Sequence, residues 1–175
     1  MAIRSPSIGE RGQSAFVVSL ADMVTSQDTY DRLRNAEQDY MDHLDRWKRQ
    51  VQSVKKERSN PARRWKLGDS ILSFQRKMRL RWRLRPTNLL EAVSRDLELS
   101  DSALGYTLRL RQRFTLDEIH TLGFGWSKFQ EILDIKDDTM MRKCALLIKK
   151  GRLKHDEDIR EFKRTANAGR SAKVK

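Results

Sequence analysis

Ser102, Tyr106, Arg109 and Arg113 follow one another at steps of four, three and four residues. On a helix those steps bring a hydroxyl, a phenol and two guanidiniums to one face. The chemistry open to such a face is hydrogen bonding to base edges and phosphates, because guanidinium reads guanine bidentately and short hydroxyls contact bases or phosphate oxygens. Leu104 and Leu108, four apart, share the opposite face and would anchor the helix. A second cationic set lies upstream, at Arg76, Lys77, Arg79, Arg81, Arg83 and Arg85, and Lys128 lies downstream. Between Arg63 and Arg85 there are nine basic residues and only Asp69 to oppose them. These cations are expected to grip phosphate.

The elements that would position these residues read as a helix-turn-helix over 88–113. A first helix carries Leu89, Leu90, Val93 and Leu97. A turn follows at Glu98 and Leu99, with Glu98 where a glycine is often found. Ser100 supplies the N-cap oxygen of the second helix. That helix would enter a major groove, with Ser102, Tyr106, Arg109 and Arg113 facing bases. Gly105 inside it costs about 1 kcal/mol relative to alanine; close approach of another helix or of a phosphate is the alternative use of that glycine.

Composition sets the partner class. The 175 residues hold 37 Lys and Arg against 24 Asp and Glu, a formal net charge of +13, and the isoelectric point is near 10.2. Residues 1–60 carry 10 cations against 9 acids, residues 61–100 carry 10 against 4, and residues 101–175 carry 17 against 11. The excess therefore coincides with the helix-turn-helix. A polyanion is the expected partner, double-stranded DNA first; RNA and an anionic membrane surface are its rivals. No apolar run approaches the roughly 20 residues needed to span a bilayer, and the start, Met1 to Pro6, has no signal-peptide core. The expected location is cytoplasmic, on the nucleoid. Cys144 is the one cysteine; it excludes an intramolecular disulfide and is expected to pack in a core.

The expected fold class is all-α, a multi-helix helix-turn-helix domain with one long N-terminal amphipathic helix. Residues 1–25 form a leader containing Pro6, Gly9 and Gly12; within it Phe16 to Leu20 is a short apolar segment that is either a strand or a docking piece. Residues 26–60 form the long helix unit, with the helix itself from Ser26 to Arg58. Tyr30, Leu33, Tyr40, Leu44, Trp47, Val51 and Val54 follow three- and four-residue steps, and Glu37 breaks the seam at one position. Two readings compete for this stripe. It pairs with its copy in a homodimer through 26–58, or it folds back onto its own domain, which the bulky Tyr40 and Trp47 favour. Asn60-Pro61 breaks the chain. Residues 61–167 form the domain proper. Ala62 to Arg79 reads as a helix with Leu67, Ile71, Phe74 and Met78 inward. Lys77 to Arg85 alternates basic and apolar residues, and period two predicts an extended segment with one basic face; Pro86 closes it and Thr87 caps the next helix. Thr115 and Glu118 form a capping box, Gly123 and Gly125 mark turns, and Trp126, Phe129, Ile132 and Leu133 make a short amphipathic helix. Asp137 or Asp138 starts the next, with Met141, Ala145 and Ile148 inward, and Lys149-Lys150-Gly151 stops it. Asp156 opens a last helix bearing Ile159 and Phe162. Residues 168–175 form a basic tail.

The texture from residue 87 to about 164 resembles the helix-turn-helix domain of ParB-type partition proteins and their KorB-like relatives. The resemblance runs through Asp96-Leu-Glu-Leu-Ser-Asp-Ser-Ala-Leu104, Thr107-Leu-Arg-Leu110, Phe124-Gly-Trp-Ser-Lys-Phe-Gln-Glu-Ile-Leu133 and Ile135-Lys-Asp137, then a helix, the Lys-Lys-Gly-Arg-Leu153 turn and a further helix. The Gly-Trp-Ser stretch is also similar to the N-terminal helical domain of YhcG-type proteins. The resemblance implies DNA binding in plasmid or phage partition or in transcriptional regulation. It carries over neither nucleotide binding, since Gly9-Glu10-Arg11-Gly12 is only a fragment of the partition proteins' phosphate motif, nor DNA cleavage.

Catalytic and metal chemistry find no support in the sequence. His43, His120 and His155 fall in different elements, with only weak local pairs such as Asp39 with His43. Asp137-Asp138 and Asp156-Glu157-Asp158 are helix starts, where carboxylates favour the dipole. No Walker-type loop is present. The expectation is a non-enzyme without cofactor or metal. An adaptor that binds a protein partner through the long helix is the remaining alternative.

Overall fold

The computed structural model describes residues 27–84 and 88–171, and these form an all-α fold of eight helices. They are α1 (Gln27–Lys56), α2 (Pro61–Arg81), α3 (Leu89–Asp96), α4 (Asp101–Arg113), α5 (Leu116–Leu122), α6 (Trp126–Leu133), α7 (Asp138–Lys149) and α8 (Asp156–Ser171). Among the described residues there is no strand, and no helix is long and apolar enough to cross a membrane. The leader with Phe16 to Leu20, the Arg85-Pro86-Thr87 joint and the last four residues of the tail lie outside the described residues.

α1 folds back as a hairpin on α2. Asn60 caps α2 by accepting from the Ala62 N–H at 3.0 Å, and Pro61 occupies the first helical position, where its missing N–H costs nothing. The apolar stripe of α1 is buried at Leu33, Tyr40, Leu44, Trp47, Val51 and Val54. Ala36, fully buried, fills the place where Glu37 breaks the seam. Opposite stand Leu67, Ile71, Phe74 and Met78 of α2, all buried. Trp47 meets Phe74 edge-on at 5.4 Å between ring centroids and donates its Nε1–H to Ser70 Oγ at 2.9 Å. The stripe that a homodimer through 26–58 would need is thus closed within the chain. The large apolar side chains that α1 leaves exposed are Tyr30 and Met41.

Two apolar clusters share the centre. One joins α1, α2 and α3 to Leu104 and Leu108 of α4. The other joins Leu110 and Phe114 to α5, α6, α7 and α8. α4 is the pillar between them, since Leu110 lies roughly 200° around the helix from Leu108. Its most extensive partner is α2. Cys144 is buried in the second cluster, and burial pushes its thiol up to about 11, which leaves it unreactive.

Helix ends follow the local chemistry read from the sequence. Thr115 and Glu118 form the reciprocal capping box, Ser100 caps α4, Asp137 caps α7, and Gly151 closes α7 in the left-handed conformation. Between α3 and α4, Glu98 adopts φ 53°. The Leu99 N–H reaches Ser94 O at 2.9 Å and the Glu98 N–H reaches Arg95 O at 3.1 Å, the paired bonds of a Schellman stop. Glu98 therefore occupies a position that suits glycine. Glu98→Gly is expected to stabilise the fold by about 0.5–1 kcal/mol, the left-handed strain relieved less the extra entropy of the unfolded chain. A urea midpoint that falls instead would show that the Glu98 side chain contributes more than its backbone strain costs.

The stretch 77–84 departs from the extended segment expected of it. The helix runs on to Arg81, because continuing it places Met78 in line with Ile71 and Phe74. Alternation then breaks: Leu80 is 63% exposed while Met78 is fully buried. Trp82 ends α2 and donates to Asp39 Oδ2 at 3.0 Å. Arg83 takes φ 55°, and Leu84 tucks into the first cluster with its N–H on Met78 O at 3.1 Å.

Asp39 is the latch of this end, accepting also from Lys77 Nζ at 2.9 Å. Burial alone would raise its carboxyl, but the bonds from Lys77 and Trp82 and the charges of Lys77 and Arg81 outweigh that and hold it below 3.8. The folded chain thus favours the anion. Its contribution is complete above the unfolded carboxylate range and is lost as pH falls through the lowered folded value. Asp39→Asn should therefore be less stable than wild type at pH 6, with the gap closing toward pH 3 in urea titrations. A gap independent of pH would remove the charged latch.

Candidate nucleic-acid interface

The face expected to read bases is largely occupied by the rest of the fold. Ser102 is exposed. The Tyr106 hydroxyl donates to Asp134 Oδ1 at 2.7 Å, and its ring stands edge-on to Trp126 at 6.4 Å. The bond to Asp134, with burial and the carboxylate's charge, holds the Tyr106 phenol above its ordinary value. Arg109 lies 4.2 Å over the Tyr106 ring and 3.7 Å from Asp134. Arg113 is only 15% exposed; it donates to Ile135 O at 2.7 Å, to Leu133 O at 3.1 Å and, through Nε, to Asp138 Oδ1 at 2.7 Å. Tyr106 and Arg113 are packing residues of α4 against α6 and the turn after it. The physical reason is Leu110: with Phe114, four residues on, it gives α4 a second apolar side, and the polar residues bordering that side are drawn under α6.

The partly exposed cations of α4, Arg109 and Arg111, are each paired with a carboxylate, Asp134 and Asp69, and the first turns of the helix carry none. A groove of about 280 Å³ beside it is lined by Leu90, Glu91, Asp101, Leu104, Gly105 and Leu108. Two carboxylates would face any phosphate placed there. A Cβ at Gly105 would meet nothing within 4 Å, so no neighbouring helix demands that glycine. The close approach is at Gly68 of α2 instead.

The expected phosphate ridge divides. Arg76, Arg79, Arg81 and Arg83 are exposed, with Arg81 4.8 Å over the Trp82 ring. Lys77 is committed to Asp39. Lys128 is half-buried on α6, another element, and Arg85 lies outside the described residues. Arg83 and the α2 arginines thus crown the end of a helix rather than lining an extended strand.

The structure adds a cationic site at the other end of the hairpin. Arg46, Arg49, Gln50 and Ser53 occupy one face of α1 at steps of three, one and three, opposite Arg63 and Lys66 in the first turns of α2. They line a cleft of about 270 Å³. Glu57, held below its ordinary value by the Asn60 and Arg63 bonds, is the nearby carboxylate; it accepts from Asn60 Nδ2 at 2.8 Å and from Arg63 at 3.0 Å. Among the described residues, Arg46, Arg49 and Lys66 have no carboxylate partner.

Charge along the chain explains why this cleft is hard to see in sequence. Residues 46–85 hold fifteen Lys and Arg against Glu57 and Asp69, an excess equal to the chain's whole net charge of +13. Both acids are engaged, Asp69 by Arg111 at 2.5 Å. The first part of α1, residues 27–45, holds six acids against Arg32 and Arg34. Averaging over residues 1–60 cancels the two halves of one helix and hides the basic half. The recurrence of Arg46, Arg49 and Ser53 at helical steps beside the seam was the available signal.

Among the described residues no cluster of His, Cys, Asp or Glu could hold a metal ion. No protein-family model matches the chain, and no curated protein and no solved structure shows detectable similarity to it.

Proposed function

We propose that the chain binds duplex DNA through its phosphate backbone, with the α1–α2 hairpin as the docking surface and without base reading by α4. The carrying observation is the charge of residues 46–85: the whole net excess resides there, much of it on exposed side chains with no acid partner. Neutralising phosphates with such cations releases counterions and supplies sequence-independent affinity. Partition or transcriptional control is the setting that the resemblance read from the sequence implies. The adaptor alternative is weakened because the apolar stripe of α1 is already spent on α2.

Fluorescence anisotropy with labelled duplexes tests this. Affinity should fall steeply with salt, and unrelated sequences should bind within a few-fold of each other. Arg79→Gln with Arg83→Gln should weaken all duplexes alike and reduce the salt slope by about 2. Arg109→Ala should leave the ratio between sequences unchanged. A marked preference for one sequence, abolished by Arg109→Ala, would restore base reading by α4. Duplex RNA competing better than duplex DNA, or anionic vesicles competing while DNA does not, would overturn the choice of polymer.

A further inference from the structure

We infer that the cleft between Arg46, Arg49, Gln50 and Ser53 of α1 and Arg63 and Lys66 of α2 is a discrete phosphate clamp, which holds one phosphodiester group of the bound nucleic acid. The inference rests on the nucleic-acid reading above and specifies it: one phosphate enters a built site, while the remaining cations act along the surface.

Four cations from two helices face one concave space, with one carboxylate nearby. Like charges placed so close repel, and nothing within the described chain neutralises Arg46, Arg49 or Lys66. A bound oxyanion removes that repulsion. Guanidinium forks present paired N–H donors that match two phosphate oxygens, and Lys66 adds a point charge. The site also lies over the first turns of α2, the positive end of its macrodipole. Glu57 pairs with Arg63 and accepts from Asn60, so it offsets one of the four cations and leaves Arg46, Arg49 and Lys66 for the ligand.

The Oε1 of Gln50 is buried and accepts no hydrogen bond. A buried unsatisfied polar atom costs about 1–3 kcal/mol. Which end of an amide points inward is a matter of its hydrogen-bond partners. Gln50 also lines the cleft, and its NH2 is a neutral donor suited to an oxygen of the ligand.

A clamp on one phosphate makes a quantitative forecast that scattered cations do not. Each phosphate neutralised contributes about 0.9 to the salt slope. Arg49→Gln with Lys66→Gln removes two charges but one shared phosphate, so the slope should fall by about 1, against about 2 for Arg79→Gln with Arg83→Gln. Duplex affinity should fall at least tenfold, and each single variant should account for most of that loss, because residues sharing a partner are non-additive. The same variants answer the free-ligand source: with the full chain alone, inorganic phosphate at constant ionic strength should raise Tm in wild type and not in the double variant. Both substituted residues are exposed, and circular dichroism confirms the fold.

The failures separate. Cleft variants that bind duplex as wild type does overturn the clamp and leave the nucleic-acid reading standing. A slope loss of 2 with additive single effects also overturns the clamp, since each cation then holds its own phosphate. Absence of duplex binding at low salt overturns the nucleic-acid reading and the phosphodiester assignment with it. In that case a variant-sensitive Tm rise supports a phosphate site for a free phosphate-bearing ligand, and no rise overturns the site altogether.

Discussion

Trp47→Ala is expected to remove about 3–5 kcal/mol of stability, a large share of a domain total of about 5–15 kcal/mol. Trp47 is fully buried at the middle of the α1–α2 hairpin. Its ring touches Tyr40 at 5.8 Å, His43 at 5.7 Å and Phe74 at 5.4 Å, all measured between centroids. Truncation leaves a cavity that these rings cannot close, because Tyr40 is tied by its hydroxyl to Asp96 at 2.7 Å and His43 by Nδ1 to Asp39 O at 2.7 Å. It also strips Ser70 of its donor. Trp82→Ala should cost clearly less, since Trp82 is only half-buried. Urea unfolding followed by circular dichroism checks both. A loss below about 1 kcal/mol for Trp47→Ala would mean that Trp47 is not buried between α1 and α2 in solution. Stability independent of protein concentration is the companion result, because a stripe buried within one chain owes nothing to mass action.

What could be read from the sequence divides along physical lines. Caps and stops are local: Ser100, the Thr115–Glu118 box and Gly151 work through atoms within five residues, so a single sequence displays them. The apolar stripes of α1 and α2 were equally legible, and the size of Tyr40 and Trp47 argued for the fold-back that the structure shows. The misreadings concern which of two competing faces wins. On α4, Leu104 and Leu108 marked one inner face, but Leu110 and Phe114 marked another, and only the arrival of α6 decides that Tyr106 and Arg113 are covered. At 77–84 the period of two and the continuing stripe of α2 are both present; the chain follows the helix, which buries Met78 with Ile71 and Phe74 and leaves Arg79, Leu80 and Arg81 exposed. The cleft depends on residues seventeen apart, Arg49 and Lys66, lining one space across a turn. Pattern within either helix alone says nothing of that meeting.

The α3–α4 pair has the expected anchors and a well-formed turn, yet its second helix stands between two apolar clusters and shows solvent a strip flanked by Glu91 and Asp101. A helix in that position gives the fold rigidity; the cations that could meet a polyanion sit on the hairpin it supports. On the hairpin, architecture and charge occupy the same two helices but different faces, and substitutions should separate them. Changes in the buried stripes or in the contacts of α4 should act on stability, and changes at Arg46, Arg49 and Lys66 should act on the proposed ligand.

Gly68→Ala makes that separation measurable. A Cβ at Gly68 would stand 2.7 Å from Thr107 O, 3.3 Å from Thr107 C and 3.2 Å from Arg111 Cβ. Two of those atoms are helix backbone, which cannot swing aside, so α2 and α4 must move apart. Separation loosens the packing of Leu67 and Ile71 in the cluster they share with Leu104 and Leu108, and a small gap already forfeits a quarter to a half of each contact. The expected cost is about 1–3 kcal/mol, after a gain of about 1 kcal/mol from replacing a helical glycine. Gly105→Ala is the control on the facing helix: with nothing within 4 Å of its Cβ, only the propensity gain remains, and stability should rise by about 1 kcal/mol. The same substitution thus acts with opposite sign on two packed helices, read as opposite shifts of the urea midpoint. If Gly68→Ala also stabilised, α2 would not lie this close to α4, and the place of α4 between the two clusters would be wrong.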